Sequence, residues 1–221
     1  MNIIEVQHLK KYFNDGPTLV KALDGIDLVI EKGKFTAIVG ESGSGKTTLL
    51  HCMAGLYQPT EGYVFVDGVD LQTMDEDQLT VFRRRKVGFI FQGIHLIPEL
   101  TVREKILFPL ALDDMRPDMA YFSQMTEFLG LTSYLDVKPH MLSGGAQQCV
   151  AIARALITKP QVVLADEPTG SFDMKTTNNV AGLLKAVAAT FHQTLVIITH
   201  NLELAQLADR VVRLSDGHIV A

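Results

Sequence analysis

Short runs of apolar, β-branched residues alternate along this chain with longer stretches in which apolar positions recur every three or four residues. Phe35 to Val39, Val162 to Ala165 and Leu195 to Ile198 read as buried strands, each followed by helical patterning, from Lys46, near Thr176 and after Asn201 respectively. Strands alternating with helices predict an α/β domain, a mixed and mostly parallel sheet with helices on its faces. The N-terminal third adds antiparallel strands, clearest where Tyr63-Val64-Phe65-Val66 runs into Asp67-Gly68, a dipeptide that suits a tight hairpin turn. Between Gln92 and Leu142 helix signals replace strand signals. Thr101 and Glu104 form a capping box, and the stretch from Pro117 to Leu129 stops at Gly130. The pattern predicts one domain over residues 1–221, with a catalytic core of 1–92 and 141–221 and a helical subdomain over 93–140.

A chain of 221 residues suffices for one core without disulfide or metal staples. Apolar residues at 47% and charged residues at 20% exclude disordered and fibrous classes. The net charge of -5 argues against a broad nucleic-acid surface, and no nucleic-acid partner is expected. No apolar run approaches the ~18 residues of a spanning helix, and Met1-Asn2-Ile3-Ile4-Glu5 lacks the order of a signal peptide, so a cytosolic, soluble protein is expected. Cys52 and Cys149 lie far apart without metal-ligand spacing and read as reduced core residues. Arg83-Arg84-Arg85-Lys86 reads as a solvated helix end, with a partner contact as the alternative. His8, His51, His95, His140, His192 and His218 show no ligand-like spacing and read as surface or packing residues.

Chemistry enters at Gly40-Glu41-Ser42-Gly43-Ser44-Gly45-Lys46-Thr47, which fits G-x-x-x-x-G-K-[ST] between a strand and a helix. The glycines let the backbone curl so that successive NH groups point at a phosphate, and the following helix adds its positive dipole end. Lys46 supplies a point charge to the β and γ phosphates, and Thr47 offers a hydroxyl to Mg²⁺. Gly40, Ser42, Gly43, Ser44, Gly45, Lys46, Thr47 and Thr48 are the expected nucleotide-binding set.

Val162 to Glu167 is a buried-strand run ending in two acids whose side chains point in opposite directions. Asp166 would bind Mg²⁺ through water, and Glu167 would orient and deprotonate the attacking water. Alone, such a strand end reads equally well as structural; beside a phosphate loop it reads as catalytic. Leu142-Ser143-Gly144-Gly145 precedes a helix whose apolar face carries Ala146, Val150, Ala153 and Ile157, with Ser143 as N-cap. An ordinary capped helix explains those four residues by themselves, although NH groups, hydroxyl and dipole also make a second anion site there.

The phosphate loop, Gln92 after Phe89-Ile90-Phe91, Leu142 to Gly145, the Asp166-Glu167 pair, Ser171-Phe172-Asp173 and Thr199-His200 occur in an order that resembles the ATP-binding-cassette ATPases over essentially the whole chain. The resemblance implies a P-loop NTPase fold of that type, with an antiparallel N-terminal part and an inserted helical subdomain. It implies that Tyr12 stacks on adenine, that Gln92 touches Mg²⁺ and the attacking water, and that His200 reaches the γ-phosphate. It implies that Asp173 belongs to a loop crossing between subunits. Ser143, Gly144 and Gly145 would cap the γ-phosphate on the partner's Lys46, making a head-to-tail dimer, of two copies or with a related cassette, glued by two ATP molecules.

The chain departs from the family pattern at Ala146 and Cys149, where Gln and Arg are usual, and at Phe172, where a smaller or aliphatic residue is common. Backbone donors and the Ser143 hydroxyl survive these changes while a side-chain contact and a positive charge are lost, so binding and dimerisation are expected to persist with hydrolysis slowed. Arg83 to Lys86, Gly93 to Pro98 and the lack of a C-terminal regulatory domain are similar to the lipoprotein-release, macrolide-export and antimicrobial-peptide-resistance group. That likeness implies a peripheral subunit on the inner face of the cell membrane, coupled to an integral-membrane permease that docks near residues 93–110.

Overall fold

The computed structural model describes residues 1–15, 18–170 and 172–220. In chain order, β1 (Asn2–Asp15) and β2 (Thr18–Glu31) pair antiparallel, and β3 (Phe35–Val39) leads into α1 (Lys46–Met53). β4 (Glu61–Val66) and β5 (Val69–Asp70) close over Asp67 and Gly68, at φ 52° and 76°, the left-handed pair that a primed hairpin turn requires. Then follow α2 (Glu76–Lys86), β6 (Val87–Ile90), α3 (Val102–Ala111), α4 (Met119–Phe128) and α5 (Gly144–Leu156). β7 (Val162–Asp166), α6 (Met174–Thr190), β8 (Thr194–Thr199), α7 (Leu202–Ala205), β9 (Arg210–Ser215) and β10 (His218–Val220) complete the order.

Two sheets result. One is antiparallel, in the order β2-β1-β4-β5; the other runs β10-β9-β3-β8-β7-β6 and is parallel except where β10 turns back on β9. Every residue of β3, β7 and β8 is buried, as expected of strands covered on both faces. Strand periodicity divides them between two cores. Phe35, Ala37, Val39, Val163, Ala165, Leu195 and Ile197 pack with residues of α3, α4, α5 and α6. Ile38, Val162, Leu164, Val196 and Ile198 face the other way, into a core shared with α1, α2 and the antiparallel sheet.

The helix start at Thr101 and the helix end before Gly130 anticipated in the inserted region are both present. The Thr101 side chain accepts from Glu104 N while the Glu104 carboxylate accepts from Thr101 N, and α4 ends before Gly130 at φ 67°. The basic run at the end of α2 is partly solvated, with the Arg85 side chain 55% exposed, but each cation also has an acceptor within the chain. Arg83 donates to Gly55 O at 2.8 Å and Arg84 to Leu112 O at 2.8 Å, and Lys86 lies 3.1 Å from Asp67. Asp113, its side chain 4% exposed, takes Arg84 Nε at 2.8 Å as an ion pair and Arg85 Nε at 2.6 Å as a hydrogen bond. Charge patterning alone cannot see these acceptors, which for Arg84 and Arg85 come from 28 residues further along the chain.

Candidate functional site

The loop between β3 and α1 opens into a cleft of about 880 Å³ at the carboxyl ends of the central strands, the usual ligand position in an open α/β sheet. Gly45, at φ 101°, caps α1 in the left-handed region and turns the chain into the helix. Lys46 is buried and folds back over the loop, its Nζ donating to Gly40 O at 2.8 Å and to Glu41 O at 2.6 Å. The ammonium is thereby desolvated and held over the cradle. Ser42, Gly43, Gly45, Lys46, Thr47 and Thr48 line the cleft, joined from other elements by Gln92, Asp166, Glu167 and His200.

The two acids do not separate by strand alternation alone. Asp166 ends β7 and is buried, whereas Glu167 lies past the strand at φ 42°, a left-handed conformation that swings its carboxylate back into the same cleft. Its Oε1 accepts from His200 N at 3.0 Å and lies 2.9 Å from His200 Nδ1. Burial pushes the Asp166 carboxyl up from the ordinary carboxylate value, opposed by the nearby His51 and reinforced by Glu167. Asp166 Oδ1 is buried with no hydrogen-bond partner among the described residues. Such an oxygen, with the Thr47 hydroxyl beside it, fits a hard divalent cation. Among the described residues no cluster of three His, Cys, Asp or Glu lies together.

Ser143, Gly144, Gly145 and Asp173 are not part of this cleft. The Ser143 hydroxyl accepts from Ala146 N at 3.3 Å, capping α5, and Asp173 caps α6 through Thr176 N at 2.9 Å. That backbone donor holds the Asp173 carboxyl below its ordinary range. A side chain at Gly144 would lie 3.2 Å from the Phe172 ring, and buried Gln148 donates to Pro168 O at 3.0 Å, so the start of α5 is packed against the loop that follows Glu167. Ser171, in that loop, lies outside the described residues. Tyr12 also stands off the cleft, paired across strands with Lys21, which lines it; the phenol donates to Asp24 at 2.5 Å and the Lys21 ammonium lies 5.2 Å from the ring centre.

Val20, Lys21, Ala22, Asp216 and Gly217 complete the cleft, and none was singled out by motif. The available signal was Asp216-Gly217, the same dipeptide as the β4–β5 turn, between two apolar runs. Cys52 and Cys149 pack in or against the cores, and burial pushes their thiols up to about 12 and about 11. His51 packs on Tyr57 and Phe89, in keeping with a packing residue.

Residues 23–170 match the family described as "ABC transporter". The chain belongs to the ABC transporter family. It is an ATP-binding ATPase, as the ordering of its motifs implied. The cassette is 45% identical over 222 residues to the lipoprotein-releasing system ATP-binding protein LolD of Geobacter metallireducens, covering 100% of this chain and 99% of that protein. It is 43% identical to the macrolide export ATP-binding/permease protein MacB 1 of Aeromonas hydrophila, where it covers 99% of itself but only 34% of the relative. Among solved structures it is similar to the ATP-binding cassette MJ0796 in a dimeric post-hydrolysis state bound to ADP and Pi, with a TM-score of 0.87, 36% identity, and coverage of 99% of this chain and 97% of that one. The antiparallel sheet, the mostly parallel sheet and their helices are those of an ABC cassette. Among the described residues no helix is long and apolar enough to cross a membrane.

Proposed function

We propose that the cassette hydrolyses MgATP as a head-to-tail dimer and drives a membrane permease of the lipoprotein-, peptide- or drug-exporting kind. One observation carries the dimer: Ser143 to Gly145 and Asp173 stand apart from the cleft that holds Lys46, Glu167 and His200, so the helix start read as an anion site does not share the cleft of its own chain. A second chain in inverted orientation brings the start of α5 over the γ-phosphate held by Lys46. Exposed Met141, Met174 and Leu202, beside the start of α5, the Asp173 cap and His200, supply apolar area for that contact. That the MJ0796 cassette is dimeric in its ADP- and Pi-bound state supports a dimer here.

In this reading Gly40 to Thr48 and Lys46 bind the phosphates, and Tyr12 takes the adenine. Thr47, Asp166 and Gln92 hold the cation, which supplies charge neutralisation on the phosphates. Glu167 accepts the proton of the attacking water, and His200 fixes its carboxylate. Residues 93–140 act as a helical subdomain on a core of 1–92 and 141–221. A groove of about 250 Å³, lined by Leu56, Phe89, Phe91, Pro109 and Arg154, borders the 93–110 segment, whose Ile97 and Phe108 are exposed. A cytoplasmic helix of the permease docks there, leaving the cassette on the inner face of the membrane. LolD and MacB relatives favour an export role, and the substrate is set by the permease.

The decisive experiment is the mass of Glu167→Gln by light scattering with and without MgATP. A nucleotide-dependent doubling is expected; a monomer at saturating MgATP rejects the sandwich for the isolated subunit.

A further inference from the structure

The phosphate loop is clasped, on the side of β3 away from β8 and the acids, by the β9–β10 hairpin, which carries none of the recognised motifs. The hairpin turns at Asp216 and Gly217, φ 48° and 76°. Gly217 N donates to Ser44 O at 3.1 Å, inside the phosphate loop, and Gly217 O accepts from Asp24 N of β2 at 3.0 Å. The packing around these bonds is close. A side-chain carbon at Gly40 would lie 2.2 Å from Leu214 O of β9, one at Gly45 would lie 2.3 Å from Ala22 O, and one at Gly217 would lie 3.0 Å from Ala22 O.

A loop rich in glycine has few side chains to hold its shape, and its inward-pointing NH groups bind phosphate only when their directions are set beforehand. The bond between Ser44 and Glu41, at 3.2 Å, closes the loop on itself; the bond from Gly217 ties it to the rest of the fold. We infer that Gly217 is a positioning residue of the nucleotide site, a strut that joins β2 to the phosphate loop and keeps the cradle open in its phosphate-binding shape. Glycine suits the position twice over, through the left-handed turn and through the close approach to Ala22.

The chain contains its own matched control. Gly68 occupies the same place in the Asp67-Gly68 turn, also at φ 76°, with open space for 4 Å around the point a side-chain carbon would occupy and no role in the cleft. Gly217→Ala and Gly68→Ala therefore impose the same left-handed strain, and only the first pushes on Ala22 and the bond to Ser44. Asparagine tolerates the left-handed region, so Gly217→Asn keeps the crowding while easing the strain. ATP binding by titration calorimetry on the full chain, with melting temperatures alongside, is the measurement. The expected result is a fall in Tm for both alanine variants, the larger in Gly217→Ala because of the added contact with Ala22, with Kd for ATP raised about tenfold only in Gly217→Ala and in Gly217→Asn, the loss of one well-set hydrogen bond. KM should rise with kcat held, since the acids are untouched. Equal Kd values for Gly217→Ala and Gly68→Ala would overturn the inference. It rests on the nucleotide reading of the cleft, which Lys46→Ala tests separately through loss of ATP binding.

Discussion

Glu167 and His200 are locked together, the carboxylate Oε1 lying 3.0 Å from the His200 backbone nitrogen and 2.9 Å from its Nδ1. Glu167 is 12% exposed and the His200 side chain 70% exposed, so the acid is held from behind while the ring's far edge remains free to meet a ligand. The left-handed backbone at Glu167 is strain of the kind that persists where surrounding bonds over-determine it.

Because the two residues act through one contact, their substitutions should not add. Glu167→Gln is expected to lower kcat about 10²- to 10⁴-fold with ATP affinity retained, and His200→Ala to lower it by about 10². The double variant should be no slower than Glu167→Gln alone. Single-turnover phosphate release measures all three; multiplicative losses would show that His200 works independently of Glu167.

The altered start of α5 makes a second prediction. Ala146 and Cys149 pack against the core below Ser143, and Gln147 reaches back to Leu142 O at 3.1 Å. Restoring Ala146→Gln with Cys149→Arg adds a side-chain contact and a charge, the stem of the arginine lying along apolar surface while its head reaches solvent. Steady-state hydrolysis is expected to rise about tenfold or more, with the ATP affinity of the monomer unchanged, since one charge-assisted hydrogen bond is of that order. An unchanged rate shows the departures to be silent.

The Asp113 anchor is testable by Asp113→Asn. That change leaves Arg84 and Arg85 without their carboxylate, and because Arg85 is half exposed the loss is discounted for solvent to about 1–2 kcal/mol. A chain of this size should lose about 2–8 °C in Tm. A Tm within experimental error of the parent makes the pair ornamental.

Both thiols are predicted to resist alkylation in the native state. The thiolate is the nucleophile, and burial raises Cys52 to about 12 and Cys149 to about 11, so at pH 8 each is overwhelmingly protonated. Reactivity should climb only as pH rises toward those values or as the chain unfolds. Mass spectrometry after iodoacetamide, with and without denaturant, reads it directly; rapid native labelling at pH 8 contradicts the assignment.

Local signals in the sequence were sufficient for whatever depends on near neighbours. The strand, loop and helix from Phe35 to Met53, the Asp67-Gly68 turn, the Thr101 cap and the Ser143 cap all follow from residues within a few positions of each other. An ordered string of such motifs was enough to identify the family. What it left open concerns contacts between residues distant along the chain. The burial of Asp113 under two arginines, the return of Glu167 into the cleft through a left-handed backbone, and the reach of Gly217 from one end of the chain to Ser44 near the other exist only once the strands lie in the order β10-β9-β3-β8-β7-β6. Periodicity reports which face of an element is apolar, and it carries no information about which other element that face will meet. The physical reason is that packing and hydrogen bonding act over a few ångströms of space, a distance that chain separation neither limits nor reveals.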